Sequence, residues 1–414
     1  MKKITLIILG LLVGFIGCAN KSALKRTFDP SFGMAEQEYQ ALLDKTIVSQ
    51  NNNERLKKFI KKYKDGDDVY IAAIGGSVTE GAGPASFTDG YFYQFLRKLT
   101  KEYDRQIGKR TITNNAALSG TSSAIGWVRY QTDVVDVLKH APDLLIIEFA
   151  VNDFGEPTNA RAFEAMIARA LNDNPDCAVI VIYSAATYGN TMGIMKPVAD
   201  YYNVLQLNIL GAVKTPMDKG IIKQEAFFTD IVHPTTQGHK FMADALINLF
   251  RKVEASKKDK PVEVPSQTKL NPNFVNLVRI FSDDEHVKIQ AGDFDQIDEK
   301  CQTVVKTNKS NFPHNWCHKS GSNSFKMDIN CKNLIFMFKE GDAASKEVDY
   351  GTAQVFVDGK LVETCVGKKE GGWNNPNVKV IINEKEAKNH HVEVKMIDGD
   401  ENKQFTIVAM GYSR

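Results

Sequence analysis

Short apolar runs that alternate with longer amphipathic segments constrain the fold of this chain more than any other feature of its sequence. The runs are rich in Ile, Val, Leu and Ala and lie at residues 69–74, 111–117, 144–150, 178–183 and 204–209. Segments with helical spacing lie at residues 91–103, 125–138, 160–171, 193–202 and 238–253. Strand-helix alternation predicts a parallel sheet, and strands without polar alternation indicate that helices cover both of its faces.

Composition changes at residues 255–272, which are rich in Lys and Pro and have the weak periodicity of a linker. We expect an α/β domain at residues 34–254, beginning with two helices that separate near residues 51–53. At residues 273–414, short alternating runs are separated by Gly, Asn, Asp and Lys clusters, as is typical of an all-β sandwich. The predicted strands there lie at 287–290, 325–329, 334–338, 353–357, 378–382, 391–396 and 405–409.

The amino terminus has the pattern of a secretory signal at residues 1–17. Lys2 and Lys3 precede an apolar stretch that is too short to span a bilayer comfortably, and Cys18 follows it. The ending Phe-Ile-Gly-Cys resembles the lipobox of bacterial lipoproteins, whose cysteine carries the lipid. The resemblance implies a protein of the bacterial cell envelope, anchored to a membrane through lipidated Cys18, with residues 18–33 as a tether. The alternative is an ordinary secretory signal in which the cysteine has no special role.

Charge and cysteine content exclude some classes of function. The formal net charge of +2 becomes zero once Lys2 and Lys3 are removed with the signal, which argues against nucleic acid as a partner. The spacing of the cysteines and histidines matches no metal motif, so we predict no metal site. The oxidising surroundings of an exported chain allow one or two disulfides of unknown pairing in the carboxyl-terminal part, from among Cys301, Cys317, Cys331 and Cys365; Cys177 is the remaining cysteine beyond the signal.

Ser77 follows two glycines after the first apolar run, so we expect it at the sheet edge where open α/β folds bind ligands. A phosphate-binding loop requires a Gly-Lys-Ser/Thr ending, and a dinucleotide fingerprint requires a third glycine where Ser86 stands. The nucleophile elbow of larger α/β-hydrolases requires Gly two places after the serine, where Thr79 stands. Ser77 is therefore either a nucleophile of another type or a helix cap, which is a common role for Ser.

A nucleophilic serine needs a neighbouring base, and histidine is the natural one at neutral pH. His140 lies at a predicted helix end and His239 lies inside the last helix, so we interpret both as structural. His233 remains, and Asp230, three residues before it, is close enough to orient its ring and stabilise the imidazolium. The alternative is a helix-entry turn with a surface histidine.

Two further apolar runs end in residues that can donate hydrogen bonds at the same sheet edge. Gly120 follows the second run and Asn152 follows the third. Acyl transfer needs such donors, because preorganised N–H groups stabilise the tetrahedral oxyanion, each by about 3 to 4 kcal/mol. The backbone amides of Ser77 and Gly120 and the side-chain amide of Asn152 are the candidate donors.

Ser77, Gly120, Asn152 and His233 occur in the order of the four named residues of the SGNH (GDSL-type) hydrolases, and Asp230 matches the aspartate of that family. The chain resembles this family over roughly residues 66–252. The resemblance implies a flavodoxin-like three-layer α/β/α sandwich, a triad of Ser77, Asp230 and His233, an oxyanion hole of Ser77, Gly120 and Asn152, and no cofactor. The usual Gly-Asp-Ser of the family is Gly-Gly-Ser here, which resembles members that act on carbohydrate esters.

Other residues near these motifs have a structural interpretation. Glu80 and Arg129 are interpreted as solvated or structural charges, and Trp127 as part of the core. Trp316 and Trp373 of the β domain either fill its core or stack on sugar rings.

The leading hypothesis is an envelope-bound esterase that removes small acyl groups, above all acetyl, from carbohydrate. A lipid or lysophospholipid esterase and a sugar O-acyltransferase are alternatives with the same residues. A glycan-binding lipoprotein that has lost activity is an alternative of another class.

Overall fold

The computed structural model describes residues 27–50, 53–105, 110–257, 263–282, 287–304 and 309–414. The helices are α1 (Glu36–Thr46), α2 (Asn53–Lys64), α3 (Ser77–Glu80), α4 (Tyr91–Tyr103), α5 (Ser123–Tyr130), α6 (Asp136–Leu138), α7 (Arg161–Asp173), α8 (Met192–Tyr201), α9 (Ile209–Asp218), α10 (Gln224–Phe227) and α11 (Thr236–Ala255), with a 3-10 helix at Phe87–Asp89 and a π-helical turn at Gln131–Val135. The strands of the α/β domain are β1 (Ile47–Ser49), β2 (Val69–Gly75), β3 (Thr111–Asn115), β4 (Leu144–Glu148), β5 (Ala178–Tyr183) and β6 (Leu205–Asn208).

The α/β domain is built on a six-stranded sheet with the order β1-β6-β5-β4-β2-β3. Strands β2 to β6 run parallel, and their bounds lie within two residues of the predicted runs. Alternate residues of β2 enter different cores: Ile71 packs with α1, α2, α4 and α11, and Ile74 packs with α5, α7 and α8. Helices therefore cover both faces, which explains the unbroken apolar runs and confirms the three-layer fold class.

One edge of this sheet differs from the all-parallel prediction. β1 lies between the two amino-terminal helices and pairs with β6 in antiparallel direction, Ile47 opposite Leu207. Three residues joining two helices can lie antiparallel on a sheet edge without a crossover connection, which parallel pairing requires.

The carboxyl-terminal domain is all-β, as predicted, and most of its strand pairs are antiparallel. Its strands are β7 (Val278–Ile280), β8 (Lys288–Gln290), β9 (Thr303–Val304), β10 (Lys309–Ser310), β11 (Trp316–His318), β12 (Phe325–Asp342), β13 (Thr352–Val357), β14 (Lys360–Val366), β15 (Lys368–Lys369), β16 (Asn375–Met396) and β17 (Phe405–Ser413). The main sheet has the order β11-β17-β12-β16-β13-β14. Runs predicted as separate strands merge into the long β12 and β16, which pair through register shifts near Asn333. The side chain of Asn333 accepts hydrogen bonds from Phe274 N and Ser413 Oγ, so this polar position is a bulge with internal partners.

The two domains share a hydrophobic core. Ile335, Met337 and Val408 of the β domain pack in the same cluster as α5. Trp127 of α5 is buried there, and its Nε1 donates to Phe274 O at 2.6 Å, across the domain boundary.

Two connecting segments are more closely packed than expected. Phe28 and Phe32, in the predicted tether, pack against the α/β domain, where Phe32 contacts the rings of Phe227 and Phe241. In the predicted linker, the N–H groups of Lys269 and Leu270 donate to Glu164. Two phenylalanine rings of the predicted tether and two N–H groups of the predicted linker thus contact the α/β domain, although the polar composition of both segments does not indicate such contacts.

The cysteines at 177, 301, 317, 331 and 365 are free and buried. None of the disulfides that an exported chain allows is therefore formed among the described residues. Among the described residues, no helix has the length and apolar character needed to cross a membrane. The signal segment and Cys18 lie outside the described residues, so the lipoprotein interpretation stays a prediction.

Candidate active site

Ser77 is the first residue of α3, directly after β2, at the carboxyl edge of the sheet. Gly75 and Gly76 precede it, and neither position has room for a Cβ. An added Cβ would lie 2.4 Å from Glu148 O at Gly75 and 2.2 Å from Asn152 Oδ1 at Gly76. The close approach of β4 and the Asn152 side chain therefore explains why the turn that presents Ser77 is Gly-Gly-Ser.

Ser77, His233 and Asp230 form a continuous hydrogen-bonded series. His233 Nε2 lies 2.9 Å from Ser77 Oγ, and His233 Nδ1 lies 2.6 Å from Asp230 Oδ2. The other oxygen of Asp230 accepts the N–H groups of Val232 and His233, each at 2.8 Å. The loop before α11 thus holds the carboxylate and the imidazole in one turn.

The charge state of Asp230 determines which ring nitrogen carries the proton. Its partial burial raises its pKa, but hydrogen bonds from the His233 backbone and ring and from Val232 outweigh this and hold the pKa below its ordinary value. An ionised carboxylate only accepts hydrogen bonds, so the ring proton lies on Nδ1 and leaves Nε2 free to accept the Ser77 hydroxyl. This is the arrangement in which an imidazole can act as a general base toward a serine.

Gly120 and Asn152 line one cavity of about 300 Å³, to which both domains contribute residues. Asn152 lies against Gly76, as described above, and Gly120 has a left-handed backbone with φ of 68°. Trp373 of the β domain packs on Gly120, where an added Cβ would lie 2.6 Å from its Cζ2. Asn152, the candidate side-chain donor, and Gly120, a candidate backbone donor, therefore line the same cavity, and Trp373 of the β domain covers Gly120.

A buried carboxyl group lies behind Ser77. Glu148, at the end of β4, is fully buried and accepts hydrogen bonds from Thr79 and Ser184. Burial raises its pKa, and these hydrogen bonds oppose the rise. Sequence reasoning missed this residue, although a single Glu ending an apolar run was a visible signal. It ties the start of α3 to the ends of β4 and β5.

Four residues that we interpreted as structural have structural surroundings. Arg129 is buried and pairs with Asp133, and Glu80 accepts hydrogen bonds from Ser119. His239 accepts the Tyr91 N–H, and His140 stacks on Tyr70. His140 lines a larger groove of about 540 Å³, which lies at the opposite edge of the sheet beside the residues that precede the strands.

Asp153, the residue after Asn152, gives a testable pH dependence. Burial and the nearby Glu156 raise its pKa from 3.8 to about 8, while its carboxyl group accepts the Ser123 N–H. The folded state therefore favours the neutral acid, and the free energy of unfolding falls as pH rises from about 4 to about 8. Asp153→Asn keeps an acceptor for the Ser123 N–H but cannot ionise. We therefore expect its free energy of unfolding, measured in urea, to fall less between pH 5 and pH 8 than that of the wild type.

The exposed Asp218→Asn is the matched control, and it should keep the wild-type pH dependence. Equal losses in the wild type and in Asp153→Asn would contradict the assignment of the buried proton to Asp153.

The fold and the arrangement of these groups are those that the resemblance to GDSL-type hydrolases implied for the α/β domain. Residues 73–241 match the model of the GDSL-like Lipase/Acylhydrolase family, so the chain carries a domain of this family. Comparison with curated protein sequences finds no significant match.

The two-domain arrangement is also found in solved structures. The chain is similar to a two-domain esterase active on acetylated mannans, with 21% identity and a TM-score of 0.77, over 90% of this chain and 99% of that chain. It is likewise similar to the esterase of that description co-crystallized with mannopentaose, with 20% identity and a TM-score of 0.76, over 90% of this chain and 98% of that one.

Proposed function

We propose that this protein is a serine esterase that removes acetyl groups from carbohydrate. The observation that carries the proposal is the hydrogen-bonded series from Asp230 through His233 to Ser77. Asn152, which lines a cavity together with Gly120, lies against Gly76, the residue before Ser77. A hydroxyl, a base and hydrogen-bond donors around one space are what acyl transfer through a serine requires.

The chemistry follows from the roles of these groups. His233 Nε2 takes the proton of Ser77 as Oγ attacks the ester carbonyl, and the N–H groups of Ser77 and Gly120 and the amide of Asn152 stabilise the oxyanion. The tetrahedral intermediate collapses to an acyl-enzyme, and His233 gives its proton to the leaving sugar hydroxyl. A water molecule then attacks the acyl group and loses a proton to His233, and His233 passes that proton to Ser77 Oγ as the acid is released. Asp230 stabilises the imidazolium in both halves of the reaction.

The cavity walls favour a sugar with a short acyl group. Polar side chains of the β domain face the cavity, namely Glu340, Lys369, Asn375 and Asn377. Trp373 next to Gly120 is half exposed and offers an aromatic face on which a sugar ring can stack. The cavity lies at the small end of the range for ligand pockets, and its lining is polar rather than apolar. The likeness to a two-domain esterase active on acetylated mannans supports the same substrate class.

Acetate release is the direct test of this proposal. We expect the wild type to release acetate from acetylated mannan or acetylated xylan, and to release fatty acid from a lysophospholipid at least about 100-fold more slowly, because the exposed lining of the cavity is mainly polar. Ser77→Ala is the control for uncatalysed loss. Faster release of fatty acid than of acetate would contradict the carbohydrate assignment and favour a lipid esterase, whereas release of neither would contradict the proposed ester hydrolysis.

A further inference from the structure

The loop that presents Gly120 is held by a side chain of the other domain. Gln302, in the β domain, donates from Nε2 to Ser119 O at 2.5 Å, across 183 residues of sequence. The same Ser119 donates its N–H, at 2.9 Å, and its hydroxyl to Glu80 Oε2 of the α/β domain. Ser119 is thus held between a carboxylate of one domain and an amide of the other.

The carbonyl that Gln302 contacts belongs to the same peptide unit as the N–H of Gly120. Because that unit is planar, fixing the direction of Ser119 O also fixes the direction of the Gly120 N–H. A hydrogen bond to the carbonyl also polarises the peptide and strengthens its N–H as a donor. Gln302 therefore acts on Gly120 through one covalent plane, without touching the substrate.

Gln302 is itself held rigidly. It is 2% exposed, its N–H donates to Asn374 O at 2.9 Å, and its carbonyl accepts the Asn311 N–H at 3.0 Å. Its φ of 26° is unusual for a residue with a side chain, and such strain persists only where surrounding contacts impose it. Asn374 follows Trp373, which packs on Gly120, so both β-domain loops converge on this peptide.

The orientation of the Gln302 amide is set by this contact. Its Oε1 is buried and has no hydrogen-bond partner among the described residues. Exchanging the two ends of the amide would place Oε1 against Ser119 O, with two acceptors facing each other. The hydrogen bond from Nε2 to Ser119 O therefore fixes the orientation of the amide, although Oε1 is left without a partner and costs free energy.

We propose that Gln302 is a positioning residue for the oxyanion hole: by donating to Ser119 O it orients and polarises the peptide whose N–H is the Gly120 donor. The inference rests on the proposed ester hydrolysis and extends it, because the β domain then completes the catalytic machinery as well as covering the substrate. Glu80 of the α/β domain does not replace this bond, because its carboxylate accepts the N–H and the hydroxyl of Ser119 and has no proton to donate to the carbonyl.

The test uses full-length variants and p-nitrophenyl acetate, which needs no sugar contacts. Gln302→Met has nearly the same volume but no donor, and Gln302→Glu places an acceptor against the carbonyl. We expect Gln302→Met to lower kcat about tenfold and to change KM by less than about twofold, with a larger loss of kcat in Gln302→Glu. Asn152→Ala, which removes a proposed donor outright, is the benchmark and should lose about 100-fold.

A second readout separates positioning from general loosening of the domains. A trifluoromethyl ketone is a suitable inhibitor, because a serine Oγ adds to its carbonyl carbon. The serine proton passes to the histidine, and the former carbonyl oxygen becomes an oxyanion in the oxyanion hole. Its affinity should fall by the same factor as kcat/KM across the Gln302 variants. Thr132→Val removes another hydrogen bond between the domains, from Arg279 at 3.3 Å, and should keep wild-type kcat and inhibitor affinity. All variants are first compared with the wild type in thermal unfolding.

The outcomes distinguish the two proposals. If the wild type does not hydrolyse the ester, the proposed function fails. If it does, and folded Gln302→Met and Gln302→Glu keep wild-type kcat and ketone affinity, only the role of Gln302 is overturned. If Thr132→Val loses as much as Gln302→Met, the effect belongs to domain packing, and the positioning role is again overturned.

Discussion

Ser77→Ala is expected to lower kcat for p-nitrophenyl acetate and for acetylated mannan by about 10⁴- to 10⁶-fold, because no covalent acyl-enzyme can form without the hydroxyl. The substitution removes one oxygen and one hydrogen bond, to His233. We therefore expect the free energy of unfolding to change by only about 1 kcal/mol. Steady-state kinetics and chemical unfolding of the same preparation check both parts.

Ser86→Ala is the matched control for this prediction. Ser86 caps the 3-10 helix that begins at Phe87, and its Oγ accepts the Thr88 N–H at 3.3 Å, away from the imidazole. It should keep wild-type kcat. Activity of Ser77→Ala within tenfold of the wild type would remove Ser77 from the reaction and leave the GDSL-like fold without its proposed nucleophile.

His233→Ala is expected to cause a loss of kcat of similar size, about 10⁴- to 10⁶-fold, since among the described residues it is the His233 ring that lies within hydrogen-bond distance of the Ser77 hydroxyl as a base. Asp230 contacts the ring rather than the hydroxyl, so it does not replace the imidazole. The double variant with Ser77→Ala should be no less active than either single variant, because the two groups act in one step. The measurement is kcat of the three variants under identical conditions.

A second histidine supplies the control. His140 is exposed and stacks on Tyr70 at a ring-centroid distance of 4.0 Å, at the far edge of the sheet. We expect His140→Ala to keep wild-type kcat.

If the loss of kcat in the double variant equals the product of the two single losses, Ser77 and His233 do not act in one step.

The sheet and the arrangement of Ser77, His233 and Asp230 follow from local rules, which is why sequence reasoning reaches them. A parallel sheet buried on both faces produces recognisable apolar runs, and the residues after each run must meet at one edge. Asp230 and His233 are three residues apart, so their contact needs only one turn of chain. The series Asp230, His233, Ser77 thus required a single long-range inference, that the loop before α11 reaches the end of β2.

The contribution of the β domain was not predictable in the same way. Gln302 and Trp373 meet Ser119 and Gly120 through packing between domains, and no periodicity or motif relates those positions. Sequence reasoning considered Trp373 only as a core residue or a sugar platform. Its position on Gly120 depends on how α5 and the β sandwich share one core, which is a tertiary property.

Three places in the structure depart from what local composition suggests. Polar residues near Asn333 suggested a turn, but their side chains find internal partners and the strand continues. Phe28 and Phe32 in a polar stretch pack on the α/β domain. An exported chain allows disulfides among the cysteines of the β domain, yet each described cysteine is free and buried. In each case a tertiary contact outweighs the local composition.

Labelling with a fluorophosphonate tests the central claim most directly, because the reagent forms a bond only with an activated serine Oγ and releases fluoride. Intact mass and peptide mapping should show one adduct per chain, on Ser77, with no adduct on Ser77→Ala and far slower labelling of His233→Ala. Equal labelling of Ser77→Ala and the wild type, or full ester hydrolysis by wild-type protein already carrying the adduct, would contradict the claim that His233 activates Ser77 as the nucleophile.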